Sequence, residues 1–231
     1  MKNLLKLTFV TVFALLTATA FSQDCEVYFP MDEGTEVEMT NYDKKDRITG
    51  TYTQKIEEKE VDGDNLSLTI LQKVYDDKGE FVHEGRFGMN CEDGVFYVDM
   101  RSFVNDEMMT AYQGMEMQID AEDMSIPANL TVGASLPDAN IAIGISNQGI
   151  KMMTIKIDIT ERKVVAKEDI TTPAGTFECY KMTYHISTKM GLRIQGDVTE
   201  WLAKDVGIVK SKTFSKKGKL QSYTLLTGLK K

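Results

Sequence analysis

Histidine is almost missing from this chain: His83 and His185 are the only two in 231 residues. Neither has a second His or Cys at ligand spacing, which excludes a metal site built on clustered histidines. Proline is scarce as well, at 4, and no stretch is rich in Ser or Gly. Without such a linker, one domain is the simplest organisation. After residue 22 no run is apolar enough to span a bilayer as a helix, which takes about 20 residues. A Gly-x-Ser-x-Gly elbow, a Walker loop, a His-Glu-x-x-His pair and a dinucleotide fingerprint are all lacking, so no cofactor is expected. Ser–His–acid catalysis leaves no compact trace in sequence, and nothing here points to it.

What is present begins with an address. Lys2 and Lys6 precede an apolar run from Leu7 to Leu16, and small residues follow up to Ala20, Phe21 and Ser22. This is the pattern of a secretory signal peptide over residues 1–22, cleaved before Gln23. The competing reading, a membrane anchor, fails because Gln23, Asp24 and Glu26 interrupt the apolar run too early. Asp24 before Cys25 is the wrong neighbour for a lipidated cysteine. The expected organisation is therefore a signal peptide and a single β domain over 23–231, located in the periplasm, on the cell surface or outside the cell.

Cleavage removes two lysines and leaves 25 basic against 35 acidic residues, a formal charge of −10 where the whole chain carries −8. So acidic a surface repels phosphate backbones and speaks against nucleic acid. Positive charge gathers late: beyond Asp205 no acid occurs, yet Lys210, Lys212, Lys216, Lys217, Lys219, Lys230 and Lys231 follow. We read that tail as a solvated face rather than a contact to anionic lipid or polysaccharide.

Three cysteines allow three single pairings in an exported chain, where disulfides are permitted. Cys25 and Cys91 sit beside acidic, turn-like residues, whereas Cys179 lies within a strand pattern. The preferred pairing is Cys25 with Cys91, leaving Cys179 a buried free thiol.

Alternation of period two recurs through the mature chain and marks half-buried strands. Met153, Ile155, Ile157 and Ile159 oppose Thr154, Lys156, Asp158 and Thr160; Tyr180, Met182, Tyr184 and Ile186 oppose Cys179, Lys181, Thr183 and His185. The segments Leu66 to Tyr75, Phe81 to Met89, Val95 to Met100, Ile194 to Leu202, Gly207 to Phe214 and Leu220 to Leu226 share the pattern. Turns of related composition follow Tyr42, Tyr75 and Phe214: Asp43-Lys44-Lys45-Asp46, Asp76-Asp77-Lys78-Gly79 and Ser215-Lys216-Lys217-Gly218. Such loops join antiparallel strands, so the expected fold is an all-β antiparallel meander.

One segment breaks the period. Val104, Met108, Ala111 and Met115 form a helical stripe, and the expectation is one short helix over Ser102–Met115, packed against the concave face of a curved sheet. From Glu122 to Gly149 the pattern weakens, which reads as a long surface loop with one short strand near Ile141 to Ile145. Of the 14 methionines, Met100, Met108, Met109, Met115, Met117 and Met124 cluster around the expected helix, with Met152 and Met153 further on. Met suits adaptable apolar surfaces, so Met108, Met115 and Met153, with Trp201, are the candidate lining of an apolar pocket; the competing and favoured role of the methionines is to fill the core. The acidic pairs Glu57 with Glu58, Asp76 with Asp77, Glu92 with Asp93, Glu122 with Asp123 and Glu168 with Asp169 could serve glycoside hydrolysis or bind calcium, but read better as solvated turns. Asn65-Leu66-Ser67 and Asn129-Leu130-Thr131 match the glycosylation acceptor.

The stretch Thr171-Thr172-Pro173-Ala174-Gly175-Thr176-Phe177-Glu178-Cys179-Tyr180-Lys181, with Glu200-Trp201-Leu202 and Val206-Gly207-Ile208-Val209-Lys210, resembles the TapB-like family of exported Bacteroidota proteins, a domain of unknown function. Phe29-Pro30 with Gly34, the Tyr42 turn, Cys91 and Val132 to Asp138 extend the resemblance over nearly the whole mature chain. It implies a strongly curved antiparallel sheet or open β-barrel similar to lipoprotein-carrier folds, and brings no catalytic residues. The expected function is that of a non-enzymatic cell-envelope binding or assembly module for an apolar small molecule or an envelope protein. A carboxylate-based hydrolase of carbohydrate or lipid, and a purely structural envelope factor, are the alternatives.

Overall fold

The computed structural model describes residues 28–104 and 112–231. The signal-peptide segment, Cys25 and Met108 lie outside them. Thirteen strands form one antiparallel sheet. In chain order they are β1 (Glu36–Asp43), β2 (Ile48–Asp62), β3 (Asn65–Tyr75), β4 (Phe81–Glu92), β5 (Val95–Val98), β6 (Glu116–Glu122) and β7 (Met124–Pro127). Then come β8 (Ala139–Asn147), β9 (Ile150–Thr172), β10 (Gly175–Met190), β11 (Leu192–Ala203), β12 (Gly207–Ser215) and β13 (Leu220–Lys230). The spatial order is β6-β8-β9-β10-β11-β12-β13-β1-β2-β3-β4-β5-β7. The two edge strands, β6 and β7, are separated in sequence by Asp123 alone, so the sheet curls until its edges almost meet and forms a nearly closed barrel.

The three related turns share one construction. In each, the first residue closes the hairpin through its backbone N–H to the carbonyl four residues on: Asp43 to Arg47, Asp76 to Glu80, Ser215 to Lys219. In all three its side chain accepts from the turn's own amides, Asp43 Oδ1 from Lys45 and Arg47 at 2.7 and 3.1 Å, Asp76 Oδ1 from Lys78 and Glu80 at 2.9 and 2.8 Å, and Ser215 Oγ from Lys219 at 3.2 Å. The residue closing each turn has positive φ: Asp46 at 61°, Gly79 at 80° and Gly218 at 72°. The Arg47 guanidinium and these amides hold the Asp43 carboxyl down to about 2.

Alternate side chains point into the barrel and build the core. One cluster joins Ile56, Leu68, Ile70, Met89, Cys91, Phe96, Val164 and Met182 across six strands. A second, under β8, holds Met100, Ala139, Ile141, Ile143, Ile145, Ile155 and Ile159. The outward faces instead carry ion pairs such as Arg86–Glu57 and Lys167–Glu178, the inverse of a lipid-facing barrel. Among the described residues no helix is long and apolar enough to cross a membrane.

Two expectations are corrected here. The ends of the expected helix over Ser102–Met115 are not α-helical: Met100–Phe103 is a single 3-10 turn, Val104 is extended, and Tyr112 to Gly114 form a turn before β6. Asp123 Oδ1 accepts the Met100 amide at 3.0 Å and Asp99 the Arg101 amide at 2.8 Å, which confines that turn. Residues 105–111 lie outside the described part. The loop expected over Glu122 to Gly149 contains β7 and all of β8, whose Ala139, Ile141, Ile143 and Ile145 are wholly buried. The expected short strand near Ile141 to Ile145 is its centre; Ala142 and Gly144 between the isoleucines blurred the alternation, and polar residues of the other face, Asn140 and Ser146, stand only near its ends.

Candidate functional site

A cavity of about 460 Å³ lies inside the barrel. Nearly every strand contributes to it through its inward register: Val37 and Met39 from β1, Phe87 and Met89 from β4, Met124 and Ile126 from β7, Ile186 from β10, Leu202 from β11 and Ile208 from β12. Tyr28 and Phe29 enter ahead of β1 and are almost fully buried. The Phe29 ring stacks on Phe96 at 6.3 Å, and Tyr28 meets Tyr180 edge-on at 5.8 Å. The walls are apolar and aromatic.

Against these walls stands one polar cluster. Gln54 donates to Gln72 across β2 and β3 at 2.8 Å, and the Tyr184 hydroxyl donates to Glu200 Oε1 across β10 and β11 at 2.8 Å. Tyr52, Gln54, Gln72, Tyr184 and Glu200 all line the cavity, and Glu200 is the single carboxylate among the described lining residues. Each of the five is only half-buried. Burial raises the Glu200 pKa above the ordinary carboxylate value, while hydrogen bonds from Tyr184 and Ser211 and the charge of Arg162 oppose that rise. Burial, and then the neighbouring Glu200, push the phenols of Tyr184 and Tyr52 upward.

Arg162 completes the cluster from β9. It is 1% exposed, donates Nη1 to the Pro137 carbonyl at 2.7 Å, and has no partner for Nε or Nη2 among the described residues. Burial depresses its pKa, and the charge of Glu200 counteracts that. Strict alternation from Ile155, Ile157 and Ile159 would send Arg162 to solvent. Glu161, at φ 57°, makes a bulge opposite β10 between the pairs Thr160–His185 and Lys163–Thr183. One extra residue reverses the facing, so Arg162 and Val164 turn inward before a second register shift between Val164 and Ala166.

The candidate pocket residues are placed elsewhere. Met108 lies outside the described residues, Met115 is exposed, and Met153 packs in the cluster under β8, where its Sδ receives the Tyr112 hydroxyl at 3.4 Å. Trp201 is buried on the opposite face of β11 from Glu200 and Leu202, in a smaller cluster with Cys179, Val209 and Leu226. Its Nε1 donates to Glu168 at 2.6 Å, and the Lys181 and Lys210 ammonium groups sit over its ring at 5.2 and 5.4 Å. Met115, Met153 and Trp201 are not among the described residues lining the cavity, whose methionines are Met39, Met89 and Met124. Met124, on β7, enters the cavity from the seam of the barrel.

Cys179 is a buried free thiol, and burial, then nearby carboxylates, push its pKa up to about 11. Cys91 is wholly buried. Glu57 is engaged by Arg86, Glu122 by Asn140, and Glu168 by Trp201 and Lys181. His185 pairs with Asp197 at 3.1 Å, and no metal-competent cluster occurs among the described residues.

Comparison with known proteins agrees with this architecture. A candidate exported protein with YmcC-like fold from Bacteroides fragilis NCTC 9343 superposes with a TM-score of 0.72 at 24% identity, over 90% of this chain and 100% of that one. A candidate lipoprotein from Parabacteroides distasonis ATCC 8503 gives 0.73 at 26% identity, with the same coverage. No curated protein matches the chain. Residues 32–226 match the DUF3108-like family, and the chain belongs to that family.

Proposed function

We propose that this protein is an exported, non-enzymatic binding module that holds an apolar small molecule inside its barrel. The cavity carries the reading: about 460 Å³ of space with apolar walls and one convergent polar cluster. Ligand sites of roughly 300–1,000 Å³ have this composition, the apolar wall supplying affinity and the few polar groups orientation. The ligand's body lies against Phe87, Met89, Phe96 and Ile186, and a hydrogen-bonding end meets Tyr52, Tyr184 and Glu200. An exported setting fits both the N-terminal pattern and the likeness to an exported protein and a lipoprotein. The narrower kinship to TapB-like proteins rests on the stretch from Thr171 to Lys181 and on Val206 to Lys210. Cys25 is the partner we assign to Cys91, which a non-reducing peptide map would show as one linked peptide pair.

Native mass spectrometry of protein purified from its own envelope, with lipid extraction of the same sample, tests the central reading. A stoichiometric apolar mass released on denaturation is expected. The stripped protein is also expected to take up a fluorescent fatty acid at one site, and Ile208→Trp, which fills cavity volume, to weaken that uptake. Ligand-free protein that binds no apolar probe would remove the carrier reading.

A further inference from the structure

We infer that one end of the barrel is a docking surface for an anionic lipid bilayer. Three successive hairpins, β8–β9, β10–β11 and β12–β13, turn at the same end of the sheet. The β10–β11 tip exposes Met190 at 59%, Leu192 at 84% and Ile194 at 72%, and the β8–β9 tip exposes Ile150 at 68% and Met152 at 59%. Soluble surfaces scatter large apolar side chains singly, whereas five gathered on two neighbouring hairpins mark a contact site.

Charge decides what the contact is. Lys151, Lys189 and Arg193 are exposed among those apolar side chains, and Lys216, Lys217 and Lys219 are exposed on the third tip. No acid lies between Ala139 and Ile157, between Ile186 and Gly196, or beyond Asp205. Near these tips Glu116 is bonded to Ser146 and Asp197 paired with His185, and on the adjoining β1–β2 turn Asp43 is held by Arg47 and Asp46 accepts from the Tyr223 hydroxyl. Turns at the opposite end carry Asp62 and Asp64, Glu92 and Asp93, and Asp205. In a chain of net charge −8 the three tips between β8 and β13 thus gather cation and apolar surface, while the two further turns at that end, β1–β2 and β3–β4, carry mixed charge. Apolar side chains interleaved with Lys and Arg are the composition that inserts at a headgroup boundary and is attracted by anionic lipid.

The geometry ties this end to the interior. The β10–β11 register runs without a shift from Tyr180–Leu202 to Met190–Leu192. Met190, Leu192 and Ile194 therefore lie on the same face of the hairpin as the cavity-lining Tyr184, Ile186, Glu200 and Leu202. The inner face of the barrel continues past its rim into the docking surface. The docking surface stands on the tips alone and does not require the cavity to be occupied.

Flotation of the purified protein with vesicles tests the inference, using phosphatidylethanolamine containing about one part in three phosphatidylglycerol against neutral phosphatidylcholine. Binding to the anionic vesicles that weakens with salt is expected. Lys189→Glu with Arg193→Glu should weaken it about tenfold or more, since each basic residue near an anionic surface contributes roughly fivefold. Leu192→Asp with Ile194→Asp should do the same, and Val61→Asp at the opposite end should leave it unchanged. All the substituted side chains are exposed, so circular dichroism should match the parent. Absence of flotation, equal loss in Val61→Asp, or a dimer that sequesters the tips and leaves lipid unbound would each overturn the inference.

Discussion

Tyr184→Phe is the most informative single change in the cavity. It keeps the ring against the wall and removes one donor, the hydroxyl 2.8 Å from Glu200 Oε1. A hydrogen bond to a charged group is worth about 1.5–3 kcal/mol and one to a neutral group about 0.5–1.5 kcal/mol. The loss therefore depends on whether Glu200 is ionised. Its pKa is raised in the fold, chiefly by burial. The native state then binds a proton more tightly than the unfolded chain, so stability is greatest below the ordinary carboxylate range and falls as pH rises through the folded value. At pH 8 the variant should lose about 1.5–3 kcal/mol, a fall in Tm of roughly 3–12 °C for a chain of this length, and at pH 4 about half of that. Glu200→Gln should flatten the pH dependence of the parent and be relatively more stable at high pH than at low. The pair should be non-additive at pH 8, with a coupling of about 1 kcal/mol or more. Thermal unfolding of the four proteins, stripped of ligand, at both pH values is the assay. Equal loss at pH 4 and pH 8, or strict additivity, would refute the assignment of a half-buried, hydrogen-bonded carboxylate to this cavity.

Three further changes probe the frame. Cys179 should resist thiol reagents in native protein at pH 7.5, because its pKa is pushed up to about 11 and the side chain is buried, and should react fully in denaturant. Ile143→Ala, at a fully buried position of β8, should cost about 2–5 kcal/mol in denaturant unfolding, whereas a surface loop in its place would predict almost no change. At Gly196 an added Cβ would meet the Phe214 carbonyl oxygen at 2.5 Å, so Gly196→Ala should destabilise by about 1–3 kcal/mol. Gly88 meets nothing within 4 Å, so Gly88→Ala should be neutral or stabilise by up to about 1 kcal/mol.

The strands, the antiparallel connections and the turn geometry were legible because they are local. Period-two alternation marked β9, β10 and β11, and the residue pattern after Tyr42, Tyr75 and Phe214 reported the hairpins. The buried free thiol of Cys179 was legible too, since an apolar environment within a strand pattern surrounded it. Signals that depended on contrast between faces were weaker: only the centre of β8, Ile141 to Ile145, was legible because Ala142 and Gly144 lie between its isoleucines, and a helical stripe was read where both described ends prove to be turns.

The sequence by itself therefore determined the fold class and the chemistry of the hairpin tips, which are properties of neighbouring residues. Only the tertiary structure decided the cavity. Closure at the seam of β6 and β7 brings Met124 and Ile126 across from Ile186 and Leu202. The single extra residue at Glu161 reverses a strand and carries Arg162 inward, close enough for its charge to act on Glu200. Pairing partners far apart in the chain, such as Glu36 with Lys230, are set by the register of the whole sheet, and no local pattern encodes that register.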